Sequence, residues 1–332
     1  DIRFSNERVL LGRNFCNKLW NACRFRQMSG PVHSVHSIPE LLAKIDPDRV
    51  DLQDHSILGR LLDTIRLVDE AYEAYSFSGI TQHIYSFFWN DFCDWYVEVS
   101  KAKVRSKDAQ ATCLAIQDLV LRQSLLLLHP FCPFITEELW RLLGFGKARA
   151  HVQDEKPLSS DQLEDAIEDS GIKLNRSAVA RVDEIRESVT RLRSLKADYQ
   201  LGNKRDVKIM VEESTLNLDS EAAEVFGVIE TLGGFSDIDT VTGAPDGAPA
   251  MVTPIGTFYL DLTSSLDVEA EQERLSRELE KLDKVIIGTR KRLENSSFVD
   301  KAPEAVVAGA RRQLEENERK RGEIERLIAS LG

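Results

Sequence analysis

No stretch of this sequence is long and apolar enough to read as a membrane-spanning helix. The longest apolar run, around Leu125–Leu128, ends at Pro130 and falls short of the ~18 residues such a helix needs. No secretory signal pattern opens the chain. It begins with Asp1 rather than Met and enters a helix-like pattern at once, which reads as a piece of a longer polypeptide. Cysteine is scarce and unpaired. Cys16, Cys23, Cys93, Cys113 and Cys132 include no Cys-x-x-Cys pair, and the six histidines do not gather near them at ligand spacing. A zinc site is therefore not expected, and the thiols are expected to be reduced and mostly buried, as in a cytoplasmic protein. No Ser-His-Asp or Cys-His grouping can be argued from the spacings, so no residue is assigned a catalytic role. Gly144-Phe145-Gly146-Lys147 lacks the spacing of a phosphate loop and the strand that should precede one.

What is present describes a helix-rich globular chain. Its 332 residues, 42% apolar and 30% charged, are enough for two or three domains. Residues 1–145 carry helical periodicity: Phe15, Leu19, Ala22 and Phe25 mark one buried stripe, and Leu58, Leu61, Leu62, Ile65 and Val68 mark another. Four to five amphipathic helices with mostly short connections predict an antiparallel bundle. Residues 146–265 combine an acidic, aperiodic linker (146–175) with a helix from Ala178 to Tyr199 and a small α+β unit. Its strands are predicted at Val207–Val211, Phe235–Thr240 and Thr257–Leu262, with a helix at Ser220–Leu232. In residues 266–332, Leu275, Leu279, Leu282, Ile286 and Leu293 step by four, three, four and seven, and Val307, Ala310, Leu314, Asn317, Arg321, Ile324, Ile328 and Leu331 keep the same alternation. Two such helices joined by a short break predict an antiparallel coiled-coil hairpin roughly 40 Å long, with Asn317 and Arg321 as polar seam residues. The fold class expected is mainly α.

Three stretches carry a family resemblance. Arg13-Asn14-Phe15-Cys16-Asn17-Lys18-Leu19-Trp20-Asn21-Ala22-Cys23-Arg24-Phe25 is similar to the start of the anticodon-binding bundle of valyl-tRNA synthetases. Phe88-Trp89-Asn90-Asp91-Phe92-Cys93-Asp94-Trp95-Tyr96 and Leu128-His129-Pro130-Phe131-Cys132-Pro133-Phe134-Ile135-Thr136-Glu137-Glu138-Leu139-Trp140 resemble signatures shared by the valine, isoleucine and leucine enzymes. Val268-Glu269-Ala270-Glu271, with Asn295–Phe298 and Val299-Asp300-Lys301-Ala302-Pro303 downstream, resembles the C-terminal arm of the valyl enzymes. The resemblance implies the C-terminal region of a bacterial-type, class I valyl-tRNA synthetase, with a bundle that reads the anticodon of tRNA(Val) and an arm that braces its outer corner. The class I motifs His-Ile-Gly-His and Lys-Met-Ser-Lys-Ser do not occur here. Catalysis, editing, ATP and Mg2+ are thus implied only for N-terminal domains of the same polypeptide, which would be this region's partners in the cytoplasm. No cofactor is expected in the region itself.

Two groups are candidates for RNA contact. Asn14, Lys18, Asn21 and Arg24 form a polar stripe on the first helix, and amide and guanidinium groups can bond or stack on splayed bases. An ordinary solvated face or bonds between helices would give the same pattern. In the aromatic run Phe87–Tyr96, helical spacing places Phe88, Phe92 and Trp95 on one face, so most of these rings are expected in the core. The net charge of −12 argues against a polyanion partner taken alone. Between residues 284 and 312, however, Lys284, Arg290, Lys291, Arg292, Lys301, Arg311 and Arg312 face only Glu294, Asp300 and Glu304. A basic tip on a long lever suits a phosphate backbone. The alternatives are the same region of an isoleucyl or leucyl enzyme, which shares the bundle, and a non-catalytic coiled-coil adaptor, which would share the heptads.

Overall fold

Leu19, Ala22, Cys23 and Arg26 form the buried side of α1 (Asn6–Met28) in the computed structural model, three and four residues apart as the sequence requires. The structure describes residues 5–31, 37–146, 151–202, 204–218, 221–262, 268–294 and 304–330. It divides into two units, Asp1–Asp183 and Glu184–Gly332.

The first unit is built around α6 (Gln110–Leu128). Among the described residues α6 alone matches a membrane span in length and composition, yet 94% of its apolar window is buried inside the bundle. A helix apolar on every side belongs at the centre of a core. Around it stand α1, α2 (Ile38–Leu42), α3 (Leu52–Glu73), α4 (Phe77–Ser86), α5 (Val97–Arg105), α7 (Pro133–Leu142) and α8 (Ser160–Asp169). The starts are set locally. Asp51 accepts the Asp54 N–H at 3.0 Å while Asp54 accepts that of Asp51, and Ser159 with Gln162 does the same for α8. Pro133 opens α7, where a missing N–H costs nothing.

Two expectations are corrected here. Residues 146–175 are expected to be an irregular linker, but Val152, Leu163, Ile167 and Ile172 are buried in the same core as Leu58 and Trp140. The apolar step Leu163–Ile167 turns inward while the acidic residues of α8 stay outside; ten residues are too few to show a period by eye. The aromatic run is also not an ordinary α-helix. Phe87–Tyr96 is π-helical, and the Val97 N–H donates to the Phe92 carbonyl, five residues back. The wider turn brings residues four apart nearly into line. Phe88, Phe92 and Tyr96 therefore follow one another in the core, the first pair tilted at 5.5 Å and the second stacked at 6.2 Å. Trp95, expected among them, is only half-buried and donates to Gln53 Oε1 at 2.8 Å.

The second unit, which takes the end of α9 (Ala178–Asp198), holds a four-stranded sheet in the order β2-β1-β4-β3. β1 (Lys208–Glu212) pairs in parallel with β2 (Asp237–Val241) across α10 (Ala222–Gly233), and antiparallel with β4 (Gly256–Asp261), with Ile209 opposite Leu260. β3 (Ala250–Thr253), an edge strand that the periodicity does not reveal, closes a tight hairpin with β4. The buried ammonium of Lys196 donates to the carbonyls of Lys204 and Gly234, the second at 2.5 Å. Gly234 has φ +72, the left-handed cap that ends α10. α11 (Val268–Glu294) and α12 (Glu304–Ser330) lie against each other, with Leu275, Ile286, Val307 and Ile324 buried along the seam. Asn317 is half-buried there. Arg321 has seam spacing, but its guanidinium turns outward to Asp283 at 2.7 Å and Glu325 at 2.9 Å.

One polar group is deeply committed. Asp54, 1% exposed, bonds the Tyr96 hydroxyl at 2.6 Å and the Lys103 ammonium at 2.8 Å, and Lys103 also reaches Asp51 at 2.6 Å. Burial, only partly offset by Lys103, pushes the Asp54 carboxyl up from 3.8 to about 6. Lys103→Met would strand a buried carboxylate and is expected to lower bundle stability by about 3 kcal/mol at pH 7. A folded-state value above the unfolded one favours the native state once the group is protonated. Lys103 lowers the Asp54 carboxyl, so its removal lifts that group further, and the stability of the variant should recover progressively as pH falls below 7 toward 4. Urea titrations at pH 7.5 and 5 check this; equal losses at both pH values would show that Asp54 is not the stranded charge.

Candidate nucleic-acid interface

The polar stripe of α1 divides in the structure. Asn14, Asn21 and Arg24 are exposed on the outer face, away from Leu19 and Cys23. Lys18 is engaged: it pairs with Asp94 and lies over the Trp89 ring at 5.0 Å. For Lys18 the bond between helices is what the structure contains.

Beside Lys18 stands a group that the spacings do not reveal. Phe15, Tyr85 and Trp89 stack in succession, at 5.2 Å and 29° and then at 5.4 Å and 16°, and Phe15 meets the buried Phe88 edge-on at 5.9 Å. Tyr85 is 39% exposed and Trp89 half-buried. A partly open aromatic ladder edged by a cation and by exposed amide and guanidinium side chains can stack unpaired bases and hydrogen-bond their edges. Its one sequence signal is the four-residue step from Tyr85 to Trp89, which joins α4 to the π-helical segment and so straddles the edge of the aromatic run.

On the arm, Lys284, Arg290, Lys291, Arg292, Arg311 and Arg312 are all exposed. Lys284 pairs with Glu280 at 2.7 Å and Arg290 with Glu318 at 2.5 Å. Lys291, Arg311 and Arg312 have no ion pair among the described residues. Lys284 and Lys291, seven apart, share the side turned away from the seam. Lys301 lies outside the described residues. The structure thus keeps the described basic groups outward, as a phosphate contact requires, and holds Lys284 and Arg290 on carboxylates that an RNA would have to displace.

Comparison with known proteins covers most of this framework. Residues 54–211 match the anticodon-binding domain of tRNA ligases, and residues 267–332 match the valyl tRNA synthetase tRNA binding arm. The chain is 32% identical over its whole length to a valine--tRNA ligase of Clostridium acetobutylicum, of which it covers 36%. It is 33% identical over its whole length to that of Cereibacter sphaeroides, covering 32% of that protein. Over 96% of its length it is 30% identical to that of Thermotoga maritima, covering 34%. It therefore spans about a third of the length of the curated relatives it matches. The stripe on α1 lies before the first matched segment.

The two kinds of stripe residue should separate in stability measurements. Lys18→Met removes a half-exposed ion pair and a cation–π contact, and should cost about 1 kcal/mol in denaturant unfolding. Asn21→Ala and Arg24→Ala should stay within about 0.5 kcal/mol of the parent. A loss from Arg24→Ala as large as that from Lys18→Met would make Arg24 a structural residue.

Proposed function

Because this chain belongs to the valyl-tRNA synthetase family, of which it carries the C-terminal anticodon-binding domain and tRNA-binding arm, we propose that it is the tRNA-holding portion of a cytoplasmic valine--tRNA ligase. The observation that supports this reading is the presence in one chain of two unlike surfaces, each with groups suited to RNA. The bundle offers exposed amide, guanidinium and aromatic groups suited to unpaired bases. The arm offers cations on a rod of paired helices, suited to phosphates and to shape rather than to sequence.

In this proposal Asn14, Asn21, Arg24 and the Phe15–Tyr85–Trp89 ladder read the anticodon loop of tRNA(Val), and Lys18 holds the ladder in place. Lys284, Arg290, Lys291, Arg292, Lys301, Arg311 and Arg312 grip the outer corner of the same RNA. Activation of valine, transfer to tRNA and editing, with their ATP and Mg2+, belong to the catalytic and editing domains in the remainder of the polypeptide. This region contributes affinity and discrimination to that reaction.

Gel shifts with valine tRNA and with an unrelated tRNA, read as a function of salt, test the proposal. Replacing Arg290, Lys291 and Arg292 by Ala should weaken binding of both RNAs. It should also reduce the slope of log K against log salt by about 1 to 3, one unit or less for each phosphate no longer neutralised. An unchanged slope removes the tip from the interface. Arg24→Ala and Tyr85→Ala should instead narrow the preference for the valine anticodon and leave the salt slope nearly as it was. Equal losses for valine tRNA and for a variant with an altered anticodon would sink the bundle assignment.

A further inference from the structure

α9 is one unbroken helix, Ala178–Asp198, yet its first turns belong to the first unit and its remainder to the second. No glycine or proline interrupts it, so its sequence provides no hinge. Each part is gripped by the unit it belongs to. In the second unit Arg191 donates to the Val252 carbonyl at 2.8 Å and Arg193 to that of Leu232 at 2.7 Å, while the buried Lys196 holds Gly234. These bonds tie α9 to the edge strand β3 and to the end of α10.

In the first unit the grip falls on one face of α3. His55, Gly59 and Asp63 stand four residues apart on that face, with Arg60 beside them. The Asn175 N–H donates to His55 Nδ1 at 3.4 Å. The Arg176 guanidinium donates to the Gly59 carbonyl at 3.2 Å and to Asp63 at 2.8 Å. A methyl group on Gly59 would stand 2.8 Å from the Val179 side chain, so α9 lies as close to α3 as a glycine allows. One turn beyond Val179, Asp183 pairs with Arg60.

Arg60 has a second partner. Its guanidinium also reaches Asp91 at 3.4 Å, and both of these side chains are largely buried. Asp91 belongs to the π-helical segment, two residues from Trp89 of the ladder and three from Asp94, the partner of Lys18. A planar guanidinium presents donors along two edges, so one side chain serves both carboxylates. The segment that carries the ladder and the helix that runs on into the second unit thus share one cation.

We propose that Arg60 and Arg176 are positioning residues that clamp the start of α9 to the ladder-bearing bundle, so that the arm meets an RNA already held by the ladder at a raised effective concentration. This rests on the reading of bundle and arm as holders of one tRNA. When two modules bind one molecule, the second contact gains in proportion to how narrowly the link confines the second module. A helix clamped at its start is a narrow link. One free to roll over α3 would have to be ordered at the moment of binding, at a cost in affinity.

The double variant Arg176→Met, Asp183→Asn tests the clamp in the 332-residue chain. It removes one charge of each sign, so the net attraction for RNA is kept, and Arg60 retains Asp91. Both replaced side chains are half-exposed, so the circular dichroism of the variant should match that of the parent. Without RNA, amides in the first turns of α9 should exchange at least about threefold faster than in the parent. Gel shifts then compare whole valine tRNA with its isolated anticodon stem–loop, which lacks the outer corner. Affinity for the stem–loop should stay within about twofold of the parent, while affinity for the whole tRNA should fall at least about threefold. The conservative pair Arg176→Lys, Asp183→Glu should bind both RNAs as the parent does. Unchanged exchange or unchanged affinity for the whole tRNA overturns the proposal. Equal losses for the two RNAs also overturn it, because a merely structural defect in the bundle would weaken both. A parent chain that binds neither RNA would defeat the RNA-holding reading and the clamp with it, whereas normal parent binding with an unmoved variant defeats the clamp alone.

Discussion

The need to bury α6 on every side organises the first unit. Leu119, Leu121, Leu125, Leu126, Leu127 and Leu128 point in all directions round that helix and are all buried. At roughly 1.5–3 kcal/mol for each fully buried side chain, their exposure would exceed the net stability of a typical domain. One helix cannot cover another on more than one side. The chain therefore has to supply neighbours all round, and even α8, drawn from an acidic passage, is recruited to close the core. Each surrounding helix spends one face on α6 or its neighbours and keeps an outer face free. The exposed Asn14, Asn21 and Arg24 exist because Leu19, Cys23 and Arg26 are committed on the other side of the same helix.

The π-helical segment shows how packing and a candidate binding surface share one stretch of chain. Phe88, Phe92 and Tyr96 fill the core, and the wider turn carries Trp95 off that face. At the junction of α4 with this segment Trp89 stacks on Tyr85, four residues back, and the Lys18 ammonium lies over the Trp89 ring. The Lys18–Asp94 pair then ties α1 to this segment. Single π turns inside α-helices cost hydrogen-bond geometry and are found mostly where a side chain must be re-aimed. Here the re-aimed residues are aromatic and partly open to solvent.

Features of the chain that repeat are legible in the sequence, and features that occur once are not. The heptads of α11 and α12 announce the hairpin, because a two-helix seam has to repeat its apolar pair at every turn. The α1 and α3 stripes are equally plain. By contrast, Leu163–Ile167 is a single step, and β3 is four residues on a sheet edge with burial on one side only. The π pitch leaves no compositional mark, which is why ordinary helical spacing predicts Trp95 rather than Tyr96 in the core. At the candidate site the stripe is visible as residue types, but spacing cannot say which members are spent. Lys18 and Asp94 are 76 residues apart, and only the fold brings them together. Likewise Arg321 has seam spacing, yet a guanidinium can keep that position and still turn outward to Asp283.

The net charge of −12 looks hostile to a polyanion, and the length of the arm answers that objection. In residues 268–283, at the base of α11, six carboxylates face three cations, whereas residues 284–293 contain four cations and no carboxylate. The 27 residues of α11 span about 40 Å at 1.5 Å per residue. At ~0.1 M salt the screening length is about 10 Å, so charges at the base are largely screened from a ligand at the far end. What a phosphate near the tip experiences is its local surroundings rather than the sum over the chain. A rod has few neighbours at any point, so its cations keep water and stay ready to exchange small ions for phosphate. A globular surface of the same composition would mix the two signs within one screening length. By separating them along a helix pair, the arm lets an acidic protein carry a basic end.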